Sequence, residues 1–337
     1  MRPVPMKPIA LLFMEASYHR GVRGPRQAPA PTLGVLLIGL AAVSWGTTGS
    51  VMTVLGRRVA ASPLLVGTAR LSIAAALLAL IAILVARGAQ GRLSQVAHGS
   101  PQVGRPRRDD LWRALAAGAC MAGYQAAYFT AVTLAGIAVT ALVAICSAPL
   151  IIAALAPWLL DEHLTTRARV ALGVGVMGTS LLVAAPGHVT DAPARFLAGG
   201  LLALAAGLAY ALFVLTAKAG LARTAPLPLT ALTFASGAVL LTPALLWADA
   251  PTWQLALGWP WLLYLGGVAT AGAYGAYTVG LRRVPASVAG IVTLLEPLTA
   301  TILGVMLFGE RLGALAVGGA ALLVGALGLL LSDGEAR

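Results

Sequence analysis

Glu296 is the residue whose chemistry most needs an explanation. It lies in TLLEPLTATILGVMLFGERL (293–312), about midway along a run from Ala286 to Phe308 that holds no other charge. A charge at the centre of a membrane helix costs about 2.5–3.5 kcal/mol on insertion scales. In a soluble core an unpaired charge costs several kcal/mol as well. A carboxylate kept at such a place either has a task or has a partner. The task would be binding a substrate amine, or loading and releasing a proton, in a polar cavity. The partner would be Arg70 or the dipole of a helix end. Pro297 follows directly and has no N–H to give to the carbonyl of Thr293. A bent helix with a free carbonyl is expected there, and irregular backbone at membrane depth is tolerated where it lines a cavity.

Six aromatic residues and one amide join Glu296 as candidates for binding substrate or proton. Tyr124 and Tyr128 are four apart and share a helical face, as do Tyr274 and Tyr277 at a spacing of three. Gln125 brings amide donors and an acceptor that hydrocarbon would leave unsatisfied. Trp45 and Tyr210 occupy matching places in the internal repeat described below. Their alternative role is as interfacial aromatics, although Tyr210 and Tyr274 sit deep in their apolar runs. Arg70, about two turns into an apolar run, could pair with Glu296, bind a carboxylate or snorkel to the interface. It is read as structural or gating, together with Pro149, Pro297, Glu162 and Glu310 at matched helix positions. Ser44, Thr47 and Thr48 around Gly46 either face a cavity or bond their own backbone.

Other chemistries find little support. Asp161, Glu162 and His163 are consecutive and do not converge on one face, so no metal site is expected. Cys120 and Cys146 lack metal-ligand spacing and read as packing residues. The four histidines, His19, His98, His163 and His188, lie outside the apolar runs. With no nucleotide loop and no Ser/His/Asp set, neither an enzyme nor a cofactor is expected, and any transport would be gradient-driven or facilitated.

The elements that hold these residues follow from composition. Of 337 residues, 59% are hydrophobic and 10% charged, where a soluble domain carries about 25% charged residues. Mean hydropathy is +0.89. Apolar runs of about 20 residues, enough to cross a bilayer core, fall at 33–55, 63–86, 112–133, 137–159, 168–186, 196–217, 228–248, 260–281, 286–309 and 314–332. These predict an all-α polytopic membrane protein with ten transmembrane helices. Ten buried helices of a soluble protein would need polar faces, which these runs lack. The net charge of +12 then reports topology and contact with anionic membrane lipid rather than nucleic acid. With a cytoplasmic N-terminus, eighteen of the 23 Lys and Arg fall on the inner side and four, Arg57, Arg58, Arg195 and Arg311, on the outer. The scarcity of lysine among the basic residues, with abundant Ala and Gly, suggests a GC-rich bacterial source.

The chain repeats itself. A shift of about 148 lays ICSAPLIIAALAPWLLDEHL (145–164) on 293–312, pairing Pro149 with Pro297, Glu162 with Glu310, and Ala148 with Glu296. A shift of about 165 lays GVLLIGLAAVSW (34–45) on GGLLALAAGLAY (199–210). The organisation read from this is a disordered basic cytoplasmic tail (1–31), a first repeat (32–187), a second repeat (188–333) and a short cytoplasmic C-terminus (334–337). Five helices per half is odd, so the second half inserts inverted, an architecture in which substrate binds near the midplane between halves.

SWGTT (44–48), SPLLVGTARL (62–71) and the two proline-to-glutamate helix ends resemble the EamA-type transporters of the drug/metabolite transporter superfamily, over about 33–332. The resemblance implies both termini in the cytoplasm and a central cavity lined mostly by helices 1, 3, 4, 6, 8 and 9. It also implies export, less often uptake, of small metabolites such as amino acids by alternating access. An uptake carrier or lipid-handling protein of the same fold, and a non-transporting membrane partner or sensor, are the competing readings. Gly173, Gly175 and Gly178, with Gly318, Gly325 and Gly328, permit close helix approach, within the chain or in a homodimer.

Overall fold

In the computed structural model the described residues are 31–56, 59, 63–93, 108–183, 193–247, 256–309 and 313–332. The expected disorder of the tail, and Glu310, Arg57 and Arg58, lie outside them. All regular structure among the described residues is helical. In chain order it comprises α1 (Pro31–Gly56), α2 (Pro63–Leu93), α3 (Arg108–Ala135), α4 (Ile137–Leu159), α5 (Thr166–Val183), α6 (Pro193–Leu221) and α7 (Pro226–Leu241). A 3₁₀ stretch (Thr242–Trp247) follows, then α8 (Trp259–Leu263), a π-helical stretch (Tyr264–Gly272), α9 (Ala273–Leu281), α10 (Ala286–Val292), α11 (Leu295–Phe308) and α12 (Ala314–Ser332).

Among the described residues six helical spans are long and apolar enough to cross a membrane: Thr32–Gly56, Pro63–Arg87, Val139–Leu159, Pro193–Leu221, Ala286–Phe308 and Ala314–Leu331. Large apolar side chains such as Trp158, Leu246 and Met306 stand exposed on the outer faces. Hydrocarbon, not water, is the solvent that suits such a surface. The chain is a multi-pass membrane protein.

Three of the apolar runs depart from regular α-helix. The run read at 260–281 changes hydrogen-bond register through its middle, where the π stretch carries it into α9. The run read at 286–309 breaks at Thr293 and Leu294. There the Leu294 N–H bonds the Ile291 carbonyl at 3.1 Å and the Glu296 N–H bonds the Thr293 carbonyl at 3.0 Å. The expected free carbonyl of Thr293 is therefore corrected: Glu296 itself takes it. Pro297 has no donor for an i→i−4 bond, so the chain tightens to i→i−3. Pro149, its repeat mate, sits inside an unbroken α4. The run read at 228–248 stays α-helical only to Leu241, because Pro243 cannot continue the ladder.

Glycines set the closest helix crossings. A Cβ on Gly178 of α5 would stand 2.8 Å from the Gly319 carbonyl oxygen, and one on Gly319 of α12 would stand 2.5 Å from the Gly178 oxygen. Gly175 also meets its neighbours, at Leu294. Gly173, Gly318, Gly325 and Gly328 have open space at that position. The crossing thus uses Gly319 rather than the neighbouring glycine picked from the sequence. Since the obstacle is backbone, Gly319→Ala is expected to cost about 1–3 kcal/mol by overpacking. A lowered unfolding temperature of the detergent-solubilised variant is the readout.

Candidate functional site

The break between α10 and α11 fixes Glu296 in space. α1 lies directly against it, since a Cβ on Gly46 would stand 2.5 Å from Thr299 Cβ and 2.7 Å from the Glu296 carbonyl oxygen. The half-buried Glu296 side chain turns into a cavity lined by Tyr124 of α3, Tyr210 of α6, Thr293 and the stretch of α4 from Ala144 to Ile152. Ala148 and Pro149 are on that wall. The repeat mates Ala148 and Glu296 therefore meet in one cavity, and only one of them is charged. The cavity gives about 30 Å³ to the centres of water molecules, room for one or two waters.

The candidate aromatics form one connected set. Tyr124 touches Tyr128 (ring centroids 5.7 Å) and Tyr210 (5.4 Å). Tyr210 leads through Phe213 (5.8 Å) to Tyr274 (5.8 Å). Tyr274 packs on Trp45 (4.6 Å), and Trp45 packs on Tyr277 (5.3 Å). Such tilted and edge-on contacts suit the ring quadrupoles. Helices α1, α3, α6 and α9 are thus joined by aromatic side chains, all of them picked from the sequence except Phe213, which bridges Tyr210 and Tyr274.

The remaining candidates fall elsewhere. Arg70 on α2 is near enough to act electrostatically on Glu296, Tyr124, Tyr128 and Tyr274. No direct ion pair joins it to Glu296 among the described residues. Gln125 is buried on α3 and is not part of the cavity wall. Pro297 is buried on α11. Glu162 lies at the end of α4, where its Oε2 accepts the Ala286 N–H at 2.7 Å. Of the α1 polar residues, Thr47 Oγ1 donates to the Ser44 carbonyl at 2.7 Å and lies 2.8 Å from the Tyr264 hydroxyl. Ser44 Oγ, Trp45 Nε1 and Thr48 Oγ1 are buried without a hydrogen-bond partner among the described residues, a pattern usual where water or a ligand supplies the partner.

Sequence reasoning passed over Thr293, Phe213, Phe234, Tyr264 and Lys218. Phe213 was findable, being three residues from Tyr210 and so on its face. Phe234 packs on Tyr274 at 4.7 Å but lies in a run with no polar marker. Tyr264 opens the π stretch, which hydropathy does not reveal.

Among the described residues the Glu296 carboxylate has no ion pair, and it borders a tyrosine-walled cavity between α3, α4, α6 and the α10–α11 break. The model of the EamA-like transporter family matches residues 32–184 and again 197–332. The chain belongs to the EamA-like transporter family, and with it to the drug/metabolite transporter superfamily. It is a multi-pass membrane transporter. It is similar to a Bacillus subtilis protein described as the uncharacterized transporter YwfM, 36% identical over 303 residues, 90% of this chain and 94% of that protein. An Archaeoglobus fulgidus protein, also described as an uncharacterized transporter, is 28% identical over 170 residues, 50% of this chain and 58% of its own length. A solved crystal structure shares the fold with a TM-score of 0.72 at 23% identity, covering 88% of this chain and 98% of that one.

Proposed function

We propose that the protein is a secondary exporter of small amphipathic metabolites, amino acids and related amines among them, working by alternating access. The observation that carries the reading is the Glu296 carboxylate, without an ion pair among the described residues and facing a cavity walled by Tyr124 and Tyr210. It binds a substrate ammonium or exchanges a proton, while the tyrosine rings accept the apolar body of the ligand and offer π faces to its charge. Two inverted five-helix halves enclose the site, with α8, the π stretch and α9 counted as one crossing and α10–α11 as another. Ten crossings then leave both termini in the cytoplasm of a bacterial inner membrane, as the distribution of Arg and Lys favours.

The test is a toxicity-rescue screen. An exporter-deficient bacterium expressing the protein is challenged with amino acids, their analogues and cationic drugs, beside an empty vector and Glu296→Gln at equal membrane levels. Protection by the wild type alone against one compound class is the expected result. Heightened sensitivity would reverse the direction to uptake, and equal protection by the variant would make the carboxylate structural.

A further inference from the structure

At one end of the bundle, Glu162 and Lys218 tie four helix ends together. Lys218 Nζ, in the last turn of α6, donates to the carbonyls of Leu281 (2.7 Å) and Val284 (2.6 Å). It faces Glu162 Oε1 at 3.7 Å. The other oxygen of Glu162 holds the N–H of Ala286, the first residue of α10, at 2.7 Å. Two ammonium donors thus meet carbonyls, and the charge faces a carboxylate at ion-pair distance. Both side chains are largely withdrawn from solvent, 17% exposed for Lys218 and 19% for Glu162. Glu162 belongs to the first family-matched stretch and the carbonyls to the second, so the cluster fastens one half to the other.

The cluster also sits where the cavity walls run out. The chain runs from Ile152 on the cavity wall past the end of α4 at Leu159 to Glu162, along α6 from Tyr210 to Lys218, and from Ala286 through α10 to Thr293. Each path is two to three helical turns, roughly 10–15 Å at the α-helical rise. These paths are closely packed, with Ala156, Val214, Ala217, Ala289 and Val292 all buried. The repeat-matched place lacks the lysine. The shift that lays Trp45 on Tyr210 lays Thr53 on Lys218, and Thr53 Oγ1 bonds its own helix at the Gly49 carbonyl, 2.9 Å away. Thr53 has no ammonium to offer.

We propose that the Glu162–Lys218 cluster is the gate that holds the Glu296 cavity shut at this end, and that it must part for the cavity to open there. In the topology proposed above this is the cytoplasmic end. The inference rests on reading the Glu296 cavity as the transport site, but its test does not depend on finding a substrate.

The experiment places one thiol behind the gate. Ser287, buried and next to Ala286, is replaced by cysteine in a Cys120→Ser, Cys146→Ala background. The labelling rate of the purified, detergent-solubilised protein with a bulky hydrophilic maleimide is then followed. Glu162→Ala and Lys218→Met are expected to raise the rate at least tenfold, and Thr53→Val to leave it within twofold. Unchanged rates in both gate variants, with monodisperse protein, would overturn the proposal. Should either fail to fold, Glu162→Gln takes its place, because it removes the charge and keeps an acceptor for Ala286. The same twofold and tenfold limits apply to it. Raised labelling in a protein that moves no compound leaves the gate standing and removes the transport reading. Intact transport with unchanged labelling removes the gate alone.

Discussion

Exchanging Glu296 for glutamine is expected to raise the KM for an amine-bearing substrate by about 10- to 150-fold while leaving folding and membrane level nearly unchanged. The magnitude follows from what is lost. A hydrogen bond to a charged group is worth about 1.5–3 kcal/mol, and each 1.4 kcal/mol is tenfold in affinity. The size of the side chain is kept, so the cavity wall of Tyr124, Tyr210 and Thr293 stays in place. Removing an unpaired charge from the membrane interior also relieves a cost, which is why stability should hold or rise slightly. Uptake of labelled substrate into proteoliposomes, with thermal unfolding measured on the same preparation, separates the two effects. Glutamine with wild-type KM would exclude a binding role for the carboxylate.

Gly46→Val should be the most damaging change on α1. A Cβ there already stands 2.5 Å from Thr299 Cβ and 2.7 Å from the Glu296 carbonyl oxygen, and valine adds two methyl groups beyond it. The obstacle includes the main chain of α11, which cannot swing aside as a flexible side chain would. Overpacking of this kind costs about 1–3 kcal/mol, and valine against backbone belongs at or above the upper end. Because the displaced segment carries Glu296, transport should fall further than the loss of stability alone explains. Gly49, one turn along, has open space at its Cβ, so Gly49→Val is the matched control. The pair is read by unfolding temperature and by transport per folded molecule, and equal behaviour of the two variants would refute the argument.

What the sequence made legible depended on contrast. A carboxylate or a tyrosine in an apolar run is conspicuous, and so Glu296, Tyr124, Tyr210, Tyr274 and Trp45 were found and do gather together. Pro297 announced an irregularity, but not that the Glu296 N–H would occupy the Thr293 carbonyl, because that depends on how far the chain tightens. The π stretch was invisible: YLGGVATAG holds only small and apolar residues after its tyrosine, and a change of hydrogen-bond register leaves no trace in hydropathy. The choice between Gly318 and Gly319 was likewise open, since a helix apolar on every side does not say which side meets a neighbour. Lys218 was read only as a topological charge, because its partners are carbonyls 63 and 66 residues away.

Ala148 and Glu296 share the wall of one cavity and correspond by internal repetition. The molecule therefore owns the same seat twice, once with a methyl group and once with a carboxylate. In the inverted pair of halves proposed above, those seats would differ in the side of the membrane they favour. Two substitutions, one in each half, would carry the anchoring group across the pseudo-symmetry axis and turn a bound ligand end for end, with the scaffold untouched. On that reading, duplication supplies a spare address as well as a second wall, and ligand orientation would be free to drift independently of the fold.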